Sequence, residues 1–481
     1  MSRISSFEVR REPTLIFGKR LRGMPRLLSA TLLHLFALAA SLRIRGIGRR
    51  GALRSSAAIA ANTALGALKP EAANAYIGKE SEWPLWPALP VAPYSKRKTI
   101  RQEAGPGVWT FDQLIGIYYV QVPIRMTVIK METGGLFVYA PVAPTPECLA
   151  LLQPLIDAHG SIRYIVLPSV AVEHKVNAGP FARQFPDAEF YVVDRQYSFP
   201  VPLPSAFLGL PRWAKPLPPS SSSGAGKGLW GGEFEHEVLT VEPGPASMFQ
   251  EGAFVHKPSK TLLLCDTLFS ATSEPPAILQ SEPEYVRALL FHARDAPLEL
   301  VEDTPEARRK GWRRIVLLFN FFFPGSARVD LGIGPLVESR GFTRPYTYGW
   351  GGWQPLKWRG DDSEQKAFDT YIADGKPTVY TIVQIILARG DSGAALRRWV
   401  DVVRRWEFER VIPAHLDAPL RIGPEQFAQT FDFAREGSTV NRVRFCDEDV
   451  AFLRGAEEGF LSFSVYESVL GPLRGQKTCG L

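Results

Sequence analysis

The chain has 481 residues, 45% of them hydrophobic and 22% charged, which suits one large globular domain or two ordinary ones and excludes disordered and fibrous classes. Its formal charge of +7 is unevenly placed: residues 1–75 hold 13 Lys and Arg against 3 Asp and Glu, and the remainder holds 43 against 46, so the body offers no basic surface for nucleic acid. Four cysteines, Cys148, Cys265, Cys446 and Cys479, form no CxxC pair and exclude both a zinc finger and a disulfide-dense scaffold.

Residues 1–75 read as a targeting presequence. From Met24 a basic start leads into an apolar run, Leu27 to Leu42, that resembles a secretory signal peptide and is short for a spanning helix. The stretch from Arg43 to Ala75 is rich in Arg, Ala and Ser with one acid, Glu71, which suits a plastid transit peptide. Signal plus transit peptide predict delivery to a plastid, with no stable transmembrane segment in the mature chain. The stroma is the expected destination, or the thylakoid lumen, since Arg49-Arg50 precede a small-residue stretch closing in Ala73-Asn74-Ala75.

Residues 76–124 are Pro- and Trp-rich and are expected to wrap the domain in extended form. The domain proper is expected over 125–435. "MTVIKM" and "GLFVYAP" read as strands joined by a hairpin turn at Thr133-Gly134-Gly135. A helix follows, with Leu149, Leu152, Leu155 and Ile156 on one face and Gly160 as its stop. The strand "IRYIVLP", a short helix across "NAGPFARQF" and the strand "EFYVV" complete a β-α-β-α-β order, which predicts a mixed sheet covered by helices.

Residues 198–232 interrupt the pattern as a Pro/Ser-rich loop. Gly224-Ala225-Gly226-Lys227 within it lacks the spacing of a phosphate loop. Strands resume in "HEVLTVE", "GAFVHKP" and "KTLLLCD", the last two joined by a tight turn at Lys257–Lys260. Residues 272–375 read as a helical insertion, with "RRIVLLFNFFF" a buried helix and "EDTPEARRKGWRR" a solvated face. A helix at "AALRRWVDVVRRW" leads to a last strand, "FERVIP", and 436–481 reads as a peripheral tail.

Four titratable residues stand at strand ends: Glu173 and His174 after "YIVLP", Asp266 after "TLLLC" and His415 after "FERVIP". In open α/β sheets, ligand sites lie outside strand ends, and two carboxylates with two imidazoles suit a divalent metal. Taken singly, each has a plainer reading as a core histidine, a turn or a helix cap. Their order, with "VEHKVNAGPFARQFP", "FVHKPSKTLLLCDTLF" and "RVIPAHLDAP", resembles a plastid and cyanobacterial family of unknown function that is similar to the metallo-β-lactamases.

The resemblance implies an α/β fold, an αββα sandwich of metallo-β-lactamase type with helical insertions, over roughly residues 125–420. It also implies a two-metal site that is half lost. Ser169, Ala171 and approximately Pro245 stand where the first metal's histidines belong, while Glu173, His174, Asp266 and His415 match the second metal's ligands. One divalent transition metal is therefore expected, zinc first with iron or manganese as alternatives; the other reading is a metal-free buried polar network.

Two functions follow. One is a degenerate, non-catalytic protein keeping a single metal site, a binding or assembly factor whose small-molecule or protein partner is unidentified. The other is a mononuclear metal-dependent hydrolase of a small ester, thioester or phosphate. Four protein ligands make a closed site, which favours the former. His256 is excluded as a ligand because the Lys257–Lys260 turn sets it about 16 Å along the strand from Asp266. His159 reads as a helix-end residue, His236 and His292 as surface ones.

Overall fold

The computed structural model describes residues 97–435 apart from 118, 195, 197–207, 223, 245–246, 321–324, 331–332, 339–353, 373–374, 381–382, 385–386 and 388–389. Residues 1–75, expected to be a presequence, residues 436–481, expected to be a peripheral tail, most of the aromatic stretch around Trp350 and Pro245 lie outside the described residues.

In chain order the elements are β1 (Ile100–Gly105), β2 (Val108–Ile117), β3 (Val120–Lys130), β4 (Leu136–Tyr139), α1 (Pro146–His159), β5 (Ile162–Leu167), α2 (Val172–Gln184), β6 (Glu189–Val193) and β7 (Lys215–Leu217). Next come β8 (Phe234–Gly244), β9 (Ser247–His256), β10 (Thr261–Leu264), α3 (Pro283–Ala293), α4 (Pro305–Phe319), β11 (Ala327–Val329), α5 (Ile333–Glu338) and β12 (Leu356–Trp358). The last are α6 (Ser363–Ile372), α7 (Gly390–Val403), β13 (Arg410–Pro413) and α8 (Pro424–Thr430).

Strands β1 to β7 form one sheet in sequence order, antiparallel from β1 to β4 and parallel from β4 to β7. A second sheet runs β13-β10-β9-β8, with β10 and β13 parallel and the other pairs antiparallel. Successive side chains of a strand point to opposite faces, and the apolar sequences obey this on both sheets. Phe137, Tyr139, Tyr164, Val166, Tyr191 and Val193 meet Phe254, Leu263, Cys265 and Ile412 between the sheets. Their neighbours Leu136, Val138, Ile165, Leu167, Phe190, Val192, Leu262, Leu264 and Val411 face outward, into the cluster that holds Leu152 of α1, Phe181 of α2, Trp399 of α7 and Phe427 of α8. The molecule is thus an αββα sandwich. No helix among the described residues is long and apolar enough to cross a membrane.

Several expectations need correction. Residues 100–117, expected to wrap the domain, are β1 and β2 and extend the first sheet. The loop expected over 198–232 contributes β7, an edge strand, and Trp230, which fills the space between the sheets against Phe137, Tyr164, Tyr191 and Phe254. Pro content concealed β7, because a short edge strand tolerates the proline that a central strand would not.

The insertion 272–375 is helical but also carries the β11–β12 pair. Its expected solvated face is only partly so, since Arg314 is buried and bound to Glu364 and Asp295. His236 and His292, expected at the surface, are both buried. The hairpin at 133–135 and the pairing of His256 with Thr261 are as expected.

Candidate metal centre

The parallel pair β10–β13 aligns Leu264 with Pro413, so the chain leaves both strands at the same edge of the sheet. Asp266 and His415, each two residues further on, are thereby delivered side by side. The third member comes from the other sheet: β5 ends at Leu167, and α2 begins at Val172 with His174 in its first turn.

Nε2 of His174 lies 3.1 Å from Nε2 of His415 and 3.4 Å from Oδ1 of Asp266; Nε2 of His415 lies 3.3 Å from the same oxygen. These three residues form a cluster of metal-binding type, all three buried. Glu173 is not in it. The helix starts earlier than the sequence suggested and absorbs both members of the Glu-His pair. Consecutive helical residues point about 100° apart, so they cannot both face one point. His174 turns in, and Glu173 is left half-buried with its backbone carbonyl accepting from Asn177 Nδ2 at 2.9 Å.

The donor set fits a transition metal. Ligands about 2.0–2.1 Å from a tetrahedral zinc stand about 3.3–3.4 Å apart, close to the three separations seen here. The hydrogen bonds agree. His415 Nδ1 sits 2.8 Å from the carbonyl of Pro123, an acceptor only, so Nδ1 carries the proton, and Nε2, the nitrogen left bare whenever the ring is neutral, is turned to the cluster. A second imidazole nitrogen and a carboxylate oxygen converge on that lone pair, an arrangement a cation or a shared proton stabilises. His174 Nδ1 is buried with no hydrogen-bond partner among the described residues. Iron and manganese suit the same donors.

The carboxylate is braced from both ends. Oδ2 of Asp266 accepts from Ser169 Oγ at 2.5 Å, which leaves Oδ1 for the cluster. Ser169, standing where the resemblance expects a histidine, thus holds a ligand instead of being one. Its hydroxyl also accepts from the Ala171 N–H.

Burial raises the Asp266 carboxyl, but His174 and His415 outweigh it and hold the group well below the usual carboxylate range. Burial lowers His415, and Asp266 more than reverses this. Glu251 of β9 accepts from Cys265 N at 2.9 Å, Asp266 N at 2.6 Å and Thr267 Oγ1 at 2.7 Å. Burial, aided by the Asp266 charge, pushes Glu251 up to about 7.

Arg125 of β3 does the same for the other ligand loop, donating to the carbonyls of Pro413 and Leu416, both at 2.8 Å, while paired with Asp112 at 2.7 Å. Leu416 lies in the left-handed region (φ 57°), costly for a branched residue and held there by that bond. Neither Glu251 nor Arg125 was expected from the sequence. The only signal was a lone charge inside an apolar strand.

His256 is no ligand: its Nδ1 lies 2.8 Å from Ser259 Oγ, at the turn. His159 ends α1 as expected and stacks on Trp109. Cys265 faces the inter-sheet core, away from Asp266's cluster.

Residues 106–433 match the family described as Domain of unknown function (DUF4336). The chain belongs to the DUF4336 family. No curated protein matches it. Among solved structures, this DUF4336 chain is similar to the metal-soaked Flv1 flavodiiron core from Synechocystis sp. PCC6803, at 10% identity over 70% of this chain and 61% of that one, with a TM-score of 0.32. It thus spans about three fifths of that protein's length. It is likewise similar to the metallo-β-lactamase FIM-1 from Pseudomonas aeruginosa in its mono-zinc form, at 10% identity over 70% of this chain and 94% of that one, with a TM-score of 0.32. The metallo-β-lactamase from Pontibacter korlensis gives 9% identity over 69% and 99%, with a TM-score of 0.31.

Proposed function

We propose that this DUF4336 protein binds one divalent transition metal, zinc before iron or manganese, through His174, Asp266 and His415, and uses it to hydrolyse a small ester, thioester or phosphate. The observation that carries the metal is the set of donor separations, 3.1, 3.3 and 3.4 Å. With Glu173 outside the cluster, three protein ligands leave a coordination position open, the pattern of catalytic and not structural zinc. The ion supplies Lewis acidity at that position. The chain's own part is to hold it: Ser169 and Glu251 fix Asp266, and the Pro123 carbonyl and Arg125 fix His415. The composition of the presequence supports a plastid as the setting, with the stroma before the thylakoid lumen.

A second reading, a non-catalytic binding or assembly factor with the metal as a structural clamp, is favoured by the burial of all three ligands and by backbone bridges beside them. These join Ser169 to Glu251 and Ile124 to His415.

Elemental analysis of purified protein tests the site. The wild-type chain should carry about one equivalent of metal, the His174→Ala, His415→Ala double variant none, and Glu173→Gln the wild-type amount. Equal content in wild type and double variant sinks the proposal. Turnover of model esters, thioesters and phosphomonoesters by the metal-replete protein separates the two readings.

A further inference from the structure

One buried polar group, linked to the cluster through the ring of Phe319, has no role in holding it. Tyr380 is almost fully buried, and its hydroxyl has no hydrogen-bond partner among the described residues. A buried hydroxyl without a partner costs about 1–3 kcal/mol, so such a group invites a ligand.

Its position follows from its packing. Thr378 and Phe269 exchange backbone hydrogen bonds of 2.9 and 2.8 Å, which ties Tyr380 to the segment that follows Asp266. The Tyr380 ring stacks on Phe269 with centroids 4.2 Å apart and meets Phe319 edge-on at 5.6 Å; the Phe319 ring in turn lies 5.8 Å from that of His415. The phenol is therefore wedged between two aromatic rings, one anchored three residues beyond Asp266 and the other touching His415. Burial, with the nearby charges of Asp266 and Glu173, raises Tyr380 well above the usual phenol range, so it stays protonated and can donate.

Two demands set the kind of ligand. The open position of a divalent ion takes an oxygen lone pair, and the Tyr380 hydroxyl offers a proton, so a group that meets both carries two or more oxygens on one atom, as a carboxylate or phosphate does.

We infer that the Tyr380 hydroxyl is the donor that positions an oxyanion, a carboxylate or phosphate group of the substrate, on the open side of the His174–Asp266–His415 cluster. This assignment rests on the single-metal reading and makes Tyr380 a substrate-binding residue.

The test loads the full chain with cobalt(II), measures cobalt by elemental analysis and titrates inorganic phosphate, then acetate, following the visible absorption of the metal. The wild-type protein should hold one cobalt and show a saturable spectral change with at least one of the two anions. Tyr380→Phe, which removes only the hydroxyl, should hold the same cobalt and bind that anion about tenfold more weakly, as the loss of one hydrogen bond to a charged group predicts. Whichever anion shows the loss names the substrate group. Full cobalt with equal anion affinity in both proteins, or no anion response in the wild type, overturns the assignment and leaves the metal site standing. A wild-type chain that takes up no cobalt overturns both. Thermal melts of the two proteins should coincide or favour the variant, since the replaced hydroxyl is unpartnered. Weaker anion binding together with a lowered melting temperature of Tyr380→Phe would mean a packing role and would also count against the assignment.

Discussion

Glu251 spends both carboxylate oxygens on three donors from the residues flanking and including Asp266. In Glu251→Gln an amide NH₂ replaces one acceptor, leaving a buried N–H or hydroxyl unmatched. Stability should fall by about 1–3 kcal/mol in urea unfolding, with weaker metal retention on dialysis. Arg125→Met should cost more, about 3–5 kcal/mol, because it strands Asp112 and frees the carbonyls of Pro413 and Leu416. Both variants can be checked by denaturant midpoints at constant slope. The grouping of His174, Asp266 and His415 was legible in the sequence from their shared place just past strand ends and from the order of motifs that carries the resemblance, although none stands out singly. Glu173 was misread because its neighbour His174 carries the same signal, and only the start of α2 decides between them. Glu251, Arg125 and Tyr380 were not legible. Their meaning lies in partners far along the chain, such as the 288 residues between Arg125 and Pro413.

Helix α2 brings His174 to the cluster, and its seat depends on a glycine. A Cβ added at Gly179 would lie 2.1 Å from the carbonyl oxygen of Gly209, backbone that cannot step aside. Gly179→Ala should therefore displace the helix, cost about 1–3 kcal/mol and lower metal affinity, which a competition titration with a chelator would measure. Trp230→Ala should cost about 3–5 kcal/mol by emptying the space between the sheets, read by the same unfolding assay, although Trp230 lies in a segment that reads as loop. Helix α1, with its apolar face and its caps, and β4, β5, β6 and β10, short apolar runs buried on both faces, could be read at sequence level because these signals are local. β7 and β11 could not, since three-residue strands are defined by their partners and carry too few residues for a period.

Across the whole molecule, two buried histidines, His236 and His256, tie stability to pH. His236 accepts from Trp230 Nε1 at 3.0 Å through Nδ1 and gives its Nε2 proton to the Pro218 carbonyl at 2.9 Å, so the fold holds it neutral. Burial lowers it to about 4, against the weaker pull of Pro218; burial also lowers His256 to about 4, despite Glu233. The unfolded chain takes these protons near pH 6.5 and the folded chain near pH 4. Their contribution to stability is therefore full above about 6.5, falls between 6.5 and 4, and is flat below. Glu251 and Asp417, which burial raises to about 7 and about 6, act in the opposite sense over the same range, so the histidine part is read as a difference: from pH 7 to pH 4 the melting temperature of His236→Phe should fall less, or rise more, than that of the wild type. Chelation of the metal should lower stability independently, by about 2.7 kcal/mol if the ion was present at a hundred times its dissociation constant.

The ligands' separation along the chain has one more consequence. His174 and His415 are 241 residues apart, and the last ligand follows β13, which docks beside β10 from far down the sequence. A nascent chain that has not yet released β13 from the ribosome holds two of the three donor residues at most. On the single-metal reading, loading would then follow translation, open only to a finished sandwich, so that an occupied centre would certify that synthesis and closure are both complete.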